Sequence, residues 1–252
     1  MDSAKLGLLT TLLLGIFIFI GALIALLIKR KEKVVDFSLG LAFGVLIMLG
    51  ATHMLPEIIE HLGLKYIYFF IIFIVVGYLI LKLLDNFIPD HDDDGKMSTV
   101  HERKENLVHI GIITSLAIVL HNIIEGMAVY SSIISNASLG MSLTLGIGFH
   151  NIPLGIVIAG AFHQSNQSIS KTLLSVILVS LSTFVGGLFM FFLGLTSISP
   201  LISGILLSTT LGMLIFITFT ELFPRIKETK NKKQATIGIL IGVLIQIIAH
   251  LI

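Results

Sequence analysis

Eight long apolar runs dominate this sequence and restrict it to folds in which most of the chain lies inside a lipid bilayer. A helix that crosses a bilayer needs about 20 consecutive, mostly apolar residues. Runs of this kind occupy residues 6–28, 36–55, 65–84, 107–132, 138–163, 171–195, 200–222 and 234–252. The sequence therefore predicts an all-α integral membrane protein, built as a bundle of eight transmembrane helices within a single transmembrane domain covering residues 1–252.

The composition agrees with this class and limits the chemistry that the chain can perform. Of the 252 residues, 55% are hydrophobic and only 12% are charged, whereas soluble domains carry about 25% charged residues. A net charge of +1 gives no reason to expect a nucleic-acid partner. The sequence contains no cysteine, so a metal site would have to use histidine, carboxylate, amide or carbonyl ligands and water. We expect the lipid bilayer as a partner and no prosthetic group.

The positions of the basic residues predict how the bundle is oriented. Of the 16 Lys and Arg residues, only Lys5 and Lys65 fall on one side of the membrane when eight spans are drawn. Because basic residues accumulate on the cytoplasmic side, both termini are expected outside, in a multi-pass protein of the plasma membrane. The first run is longer than the apolar core of a signal peptide and precedes its basic cluster, so we do not expect it to be cleaved.

The longest and most charged hydrophilic segment follows the third run, at residues 85–106. Residues 90–94 read DHDDD, with His91 as the only imidazole among four carboxylates. This composition is typical of a solvated linker on the cytoplasmic side. It is also compatible with weak capture of a divalent ion by His91 and the neighbouring carboxylates.

Two similar polar segments interrupt the fourth and fifth runs. Residues 121–126 read HNIIEG and residues 150–155 read HNIPLG. On a helix His121 and Glu125 lie one turn apart on the same face. Burying a carboxylate in a membrane is costly unless a cation or a proton accompanies it, so these two residues are predicted to bind a divalent metal ion.

The neighbouring polar residues are candidates to complete that metal site. Small residues on the fifth run would let it approach the fourth closely, which would bring His150, Asn151 and Asn122 towards His121 and Glu125. Taken alone, Asn122 or His150 is more simply explained by a hydrogen bond between helices. Within the fifth run, Pro153 is expected to kink the helix and to free a backbone carbonyl.

Polar residues at the ends of two further runs are candidates for an entrance and an exit. If the second helix continues past Pro56, then His53, Glu57 and His61 form a stripe with a spacing of four residues. His53 and Glu57 are candidates for an outer entrance. Near the cytoplasmic end of the seventh run, Glu221 is expected to reach the surface or to pair with Arg225, and an exit-site role is the less favoured interpretation.

On these residues the chain resembles the ZIP family of divalent metal transporters over essentially its whole length. The paired HN segments, the charged loop after the third run and the sequence ELFP at 221–224 carry the resemblance. It implies movement of zinc, or of iron or manganese, towards the cytosol between the second, fourth, fifth and seventh helices. The central ligands of the family fall on residues of the two segments: His121, Asn122, Glu125, His150 and Asn151.

The chain departs from the family pattern at two positions that affect the metal centre. Leu154 stands where the fifth helix of the family has a glutamate, and the sixth run lacks the carboxylate of members with two metal ions, reading STF at 182–184. Two ions would then share Glu125 as their only central carboxylate and leave too much positive charge in a medium of low dielectric constant. We therefore expect a single ion at the centre.

Two other functions are compatible with the same residues. A chain with a degraded site could sense metal or regulate a partner without transporting anything, and the loss of the glutamate at Leu154 motivates that alternative. An intramembrane metalloenzyme is disfavoured because the sequence contains no HExxH motif, so we expect no enzymatic activity. The sequence is also compatible with a homodimer.

Overall fold

The computed structural model shows a bundle of helices. It describes residues 3–27, 32–63, 66–85, 100–165 and 167–251. Within these ranges every regular element is helical. The prediction of an all-α membrane fold is therefore confirmed.

In the described ranges eight helices follow one another, and two of them contain a wide π-helical turn. The second helix, α2, runs through three consecutive segments, and so does the seventh, α7. The bounds are α1 Ser3–Leu27; α2 Glu32–Leu49, Gly50–Met54 and Leu55–Leu62; α3 Ile67–Asp85; α4 Val100–Ser135; α5 Ala137–Gln164; α6 Ile169–Phe192; α7 Pro200–Ile215, Phe216–Leu222 and Phe223–Glu228; and α8 Lys232–Leu251.

The helices agree with the eight predicted runs but differ from them at several ends. Among the described residues, seven helices, α1 to α7, are long and apolar enough to cross a membrane by length and composition, and α8 matches the last predicted run. The second and seventh helices continue beyond the expected ends at residues 55 and 222, to Leu62 and Glu228. The fourth helix begins at Val100, inside the expected loop. Residues 86–99 of that loop, among them His91, lie outside the described residues.

Each π-helical turn lies just before a proline that would otherwise interrupt its helix. Gly50–Met54 precedes Pro56, and Phe216–Leu222 precedes Pro224. A proline in a helix cannot donate to the carbonyl one turn earlier, and its ring collides with that carbonyl. A widened turn separates the two groups and lets the helix continue. By contrast, α5 is assigned as α-helix throughout Ala137–Gln164, with Pro153 inside it and no widened turn, and the kink expected at Pro153 stays a prediction.

Glycines hold the helices together in four tightly packed pairs. A Cβ atom placed on Gly155 of α5 would overlap the carbonyl oxygen of Ile18 on α1, and one on Gly21 of α1 would overlap that of Ile152. Small residues of this kind let two backbones approach to van der Waals distance. The same reciprocal arrangement joins α2 to α8 through Gly40 and Gly238, α3 to α7 through Gly77 and Gly212, and α4 to α6 through Gly126 and Gly186.

The polar residues with potential function lie inside the bundle. The outward surfaces of α1, α3, α6 and α8 carry exposed apolar side chains, as a surface that faces lipid requires. The buried polar and ionisable residues include His109, His121, Glu125, Glu221 and Arg225. Ionisable groups in a membrane protein are expected to face the interior of the bundle and to pair with one another. The fold therefore directs its ionisable groups towards each other.

Candidate metal centre

Two imidazoles meet one carboxylate inside the bundle. The Nε2 atom of His121 lies 3.0 Å from Oε1 of Glu125, and the Nε2 atom of His53 lies 3.5 Å from the same oxygen. The two imidazole rings stand nearly perpendicular, at 87°, with their centroids 6.0 Å apart. One ligand atom from each of the three residues falls within 4.8 Å of the others. This is a distance over which a single divalent ion could draw all three atoms into its coordination shell.

Local helix geometry explains how these three side chains come together. His121 and Glu125 are one turn apart on α4, so their proximity follows from the helical repeat. His53 lies in the π-helical turn of α2, where one additional residue per turn shifts the face that the side chains present. Glu125 is 4% exposed and His121 is fully buried, whereas the side chain of His53 is 20% exposed, so water reaches the site mainly at His53.

A cavity of about 330 Å³ connects this site to the predicted outer side of the bundle. It is lined by His53 and Glu125 at its inner end and by Glu60 and His61 near the end of α2. The carboxylate of Glu57 lies 3.5 Å from Nε2 of His53 and 3.7 Å from Nε2 of His61. The stripe expected for a continuous second helix is therefore present. Within it, His53 also lies beside Glu125 of the central cluster, and its role at an outer entrance stays a prediction.

The other candidate ligands occupy different surroundings. The side-chain amide of Asn122 donates from Nδ2 to the carbonyl of Val179 on α6, at 3.3 Å, while its Oδ1 has no hydrogen-bond partner among the described residues. Asn151 on α5 is fully buried, and neither Oδ1 nor Nδ2 of its side-chain amide has a hydrogen-bond partner among the residues that the structure describes. The side chain of His150 lies outside what the structure describes. Leu154 is fully buried in the apolar core.

A second ionisable cluster lies near the predicted cytoplasmic end. The Nε2 atom of His109 on α4 lies 2.6 Å from Oδ1 of Asp85 at the end of α3, and 3.9 Å from Oε2 of Glu221 on α7. Arg225 donates from Nη2 to the same oxygen of Glu221 at 3.0 Å. The predicted pairing of Glu221 with Arg225 is thus present, and Glu221 is buried instead of reaching the surface.

Sequence reasoning missed Asp85 and His109. Each lies at the edge of an apolar run, where a polar residue is ordinarily interpreted as a surface cap. In the sequence Asp85 follows Lys82 by three residues and His109 follows Glu105 by four, so local spacing suggests a different partner for each of them and does not signal the pair. Their contact depends on how α3 and α4 are placed side by side, which the pattern of one helix cannot reveal.

Comparison with known proteins decides the family. Residues 89–249, more than half of the chain, match the family model described as ZIP zinc transporter. The chain belongs to the ZIP zinc transporter family. This match confirms the resemblance noted in the two HN segments. Because ZIP proteins are transporters, it also confirms the expectation that the chain is not an enzyme.

Individual relatives extend this ZIP match over almost the whole chain. The chain is 29% identical to the zinc transporter ZupT of Enterobacter sp. (strain 638) over 237 residues, which is 93% of this chain and 92% of the relative. It is 27% identical to the zinc transporter ZupT of Chlorobium chlorochromatii (strain CaD3) over 266 residues, covering 100% of this chain and 98% of the relative. Together with the apolar helices, these matches make the chain a multi-pass membrane protein.

Proposed function

We propose that this ZIP protein carries Zn²⁺ across the plasma membrane towards the cytosol through a site formed by His121, Glu125 and His53. The observation that carries the proposal is the convergence of two imidazole nitrogens on one carboxylate oxygen from two different helices. Asn122, His150, Asn151 and water are proposed to complete the coordination shell. Zinc is the substrate named for the ZupT relatives, which supports the same ion here.

The ligand types suit zinc better than the other metals considered. Imidazole nitrogen and carboxylate oxygen bind Zn²⁺ at about 2.0–2.2 Å, and three protein ligands leave a fourth position for water. An open position of this kind allows ligands to exchange, which a transported ion requires. Iron(II) and manganese(II) bind more weakly to the same donors, so we expect them to compete with zinc only at higher concentration.

We propose that one ion occupies this centre at a time. Glu125 is the only carboxylate in the cluster, and it cannot neutralise two divalent ions in a medium of low dielectric constant. On α5 the equivalent glutamate of the family pattern is replaced by Leu154, which packs in the apolar core. The centre is therefore asymmetric, because α4 supplies charge and α5 can supply only neutral ligands.

The cavity supports entry of the ion from the predicted outer side. Glu57 and His61 lie between the opening and the central cluster, and their contacts form a continuous series of polar groups along α2. Such a series would replace water ligands stepwise as the ion descends. We propose that the ion is released towards the cytosol, either by rocking of helix groups or through a channel-like path. The homodimer stays a prediction from the sequence.

Zinc uptake into proteoliposomes that contain an entrapped fluorescent zinc indicator tests this function. We expect uptake by the unchanged protein and at least a tenfold loss for Glu125→Gln, which keeps the shape of the side chain but removes its charge. Glu228→Gln serves as the control, since Glu228 is exposed at the end of α7. Uptake that persists in Glu125→Gln would refute the site.

The same assay separates transport from the sensor alternative. If no divalent ion enters the vesicles while the purified protein still binds zinc, transport is refuted and a sensing or regulatory role is favoured. Adding iron(II) or manganese(II) outside the vesicles tests the choice of metal. A loss of zinc uptake at equimolar manganese would contradict the proposed preference.

A further inference from the structure

An apolar cavity of about 270 Å³ lies between α2, α3 and α7. Its walls consist of apolar residues, and Thr218 supplies the only side-chain hydroxyl group among the described residues that line it. We propose that this cavity binds a hydrocarbon chain of a membrane phospholipid and that the bound chain stabilises the position of His53. The second part of this inference rests on the proposed zinc site, whereas the first part is independent of it.

The lining of the cavity favours hydrocarbon over water. A buried water molecule needs about two to four polar partners, and an apolar cavity of about 150 Å³ stays dry and can bind benzene. The cavity between α2, α3 and α7 is larger, at about 270 Å³. The rings of Phe70 and Phe219 and the branched side chains of Ile74 and Leu214 offer dispersion contacts to a ligand. A hydrocarbon chain is therefore the class of ligand that this site fits.

The mouth of the cavity belongs to the surface that faces lipid. Among the lining residues, Ala51 is exposed and Phe219 is 50% exposed. Beside the cavity on α3, Ile71 and Val75 are 60% and 50% exposed. The cavity thus continues the lipid-facing surface inward between three helices. An acyl chain of the bilayer can enter it sideways, without leaving the apolar part of the membrane.

Helix α2 separates this apolar cavity from the polar cavity that leads to the metal centre. The polar cavity is lined on α2 by residues 52, 53, 56, 57, 60 and 61. The apolar cavity is lined on α2 by residues 46, 47, 50, 51 and 55. The two sets share no residue, and each recurs with the spacing of one helical face. A ligand in the apolar cavity therefore contacts the back of the wall that the zinc ligand His53 occupies.

Both cavities contact the π-helical turn Gly50–Met54 of α2. Ala51 lies on its apolar side and His53 on its polar side, as expected for residues two positions apart on a helix. Gly50 leaves room on the apolar side, because a Cβ atom there would lie 3.1 Å from Leu211. A hydrocarbon chain packed against Gly50 and Ala51 would limit the movement of this turn, and with it the distance between His53 and Glu125.

Photolabelling in proteoliposomes tests the lipid site without zinc. The full-length protein is reconstituted in phosphatidylcholine that carries a diazirine on one acyl chain, and labelled residues are identified by mass spectrometry. We expect label on the cavity-lining residues of α2 and α7. This label should be lost in Ala51→Phe, whose ring fills the cavity from its mouth. Val75→Phe adds a ring to the lipid-facing surface of α3 and should leave the label unchanged.

The outward surface of α6 provides the reference for ordinary lipid contact, since Leu178 and Val185 are 59% and 48% exposed there. Label on the cavity no stronger than on α6 would overturn the site, and so would label that persists in folded Ala51→Phe. If Ala51→Phe fails to fold, Ile215→Phe fills the same cavity from α7 and decides the result. A disulfide between two copies of Ala51→Cys without lipid label would assign the cavity to a second copy and also overturn the proposal.

The effect on His53 is measured as the affinity for Zn²⁺ in detergent, with and without added phosphatidylcholine. We expect the lipid to raise the affinity of the unchanged protein about fivefold, at the lower end of typical couplings between two sites. Ala51→Phe should not respond, because its cavity is already filled. His53→Ala should not respond either, because the ligand through which the effect acts is missing. By linkage, Zn²⁺ should in turn strengthen binding of the lipid in the unchanged protein.

The results separate the lipid site, its coupling to zinc and the proposed transport. An equal response to lipid in the unchanged protein and in His53→Ala would overturn the coupling and leave the labelled site in place. The absence of any response in the unchanged protein would do the same. Failure of the proposed transport site appears in a different measurement, as zinc uptake that persists in Glu125→Gln, and it does not affect the photolabelling.

Discussion

His53 on α2 places its Nε2 atom 3.5 Å from Oε1 of Glu125 on α4. These two helices belong to different glycine-packed pairs, because α2 packs against α8 and α4 packs against α6. An ion bound between His53 and Glu125 would therefore link two of these glycine-packed pairs. The candidate metal centre lies between them, where a relative movement of the two pairs would change the proposed ligands.

Replacing His53 by alanine is expected to weaken zinc transport without abolishing it. The change removes one of three ligands that converge on the site, and we expect the KM for zinc to rise about tenfold, equivalent to about 1.4 kcal/mol of binding free energy. Initial rates of uptake over a range of zinc concentrations provide the measurement. His61→Ala, one step further out in the cavity, should have a smaller effect. Equal effects of the two variants would show that His53 is only part of the entrance.

Replacing Glu57 by glutamine is expected to slow the capture of zinc at low concentration. Glu57 contacts both His53 and His61 in the outer cavity, and its negative charge concentrates cations there. We expect the KM to rise about threefold at low salt, with kcat unchanged, and the difference to shrink as salt screens the charge. The control is Glu228→Gln at the opposite end of the bundle. A fall in kcat alone would contradict an entrance role.

A methyl group at Gly155 is expected to destabilise the packing of α5 on α1. The added Cβ would overlap the carbonyl oxygen of Ile18, and overpacking of this kind costs about 1–3 kcal/mol. Thermal unfolding in detergent, followed by circular dichroism, should show a lower midpoint for Gly155→Ala. On the same helix a Cβ on Gly146 would meet no described atom within 4 Å. Gly146→Ala should therefore be neutral or slightly stabilising, and an equal loss in both variants would contradict the argument.

The buried carboxylate of Asp36 is expected to fix the start of α8 against α2. Its Oδ2 accepts hydrogen bonds from the backbone N–H and the side-chain Nδ2 of Asn231, at 3.2 Å and 2.9 Å. Hydrogen bonds to a charged acceptor contribute about 1.5–3 kcal/mol. A double-mutant cycle with Asp36→Ala and Asn231→Ala should give a coupling of at least about 1 kcal/mol in unfolding experiments. If the losses of unfolding free energy in the two single variants simply add up in the double variant, the contact contributes little to stability.

The sequence predicted those parts of the site that depend on a single helix. His121 and Glu125 are four residues apart, so the helical repeat alone brings them together, and the same holds for His53 with Glu57. The contact of His53 with Glu125 was not predictable in this way, because it depends on the rotation and height of one helix relative to another. Buried ionisable residues indicate that partners exist, but the sequence does not state which helix provides them.

Helices α2 and α7 extend beyond the apolar runs marked in the sequence for a related reason. Pro56 and Pro224 ordinarily mark the end of a helix, and the expected ends lay next to them. Their helices continue because the preceding turn is widened, at Gly50–Met54 and Phe216–Leu222. That adjustment involves the backbone and its packing, and no residue type in these turns signals it unambiguously. The π-helical turn of α2 contains His53, so the same adjustment that lengthens the helix also positions a proposed ligand.

The reciprocal glycines limit how this bundle can diverge in sequence. In each pair, an added side chain would meet a backbone carbonyl, such as that of Ile18 opposite Gly155. A backbone atom cannot be made smaller by substitution, so no second mutation across the contact can compensate for the first. Variation is therefore expected to be tolerated on the lipid-facing surfaces and in the loops, while these eight glycine positions stay fixed as long as the fold is kept.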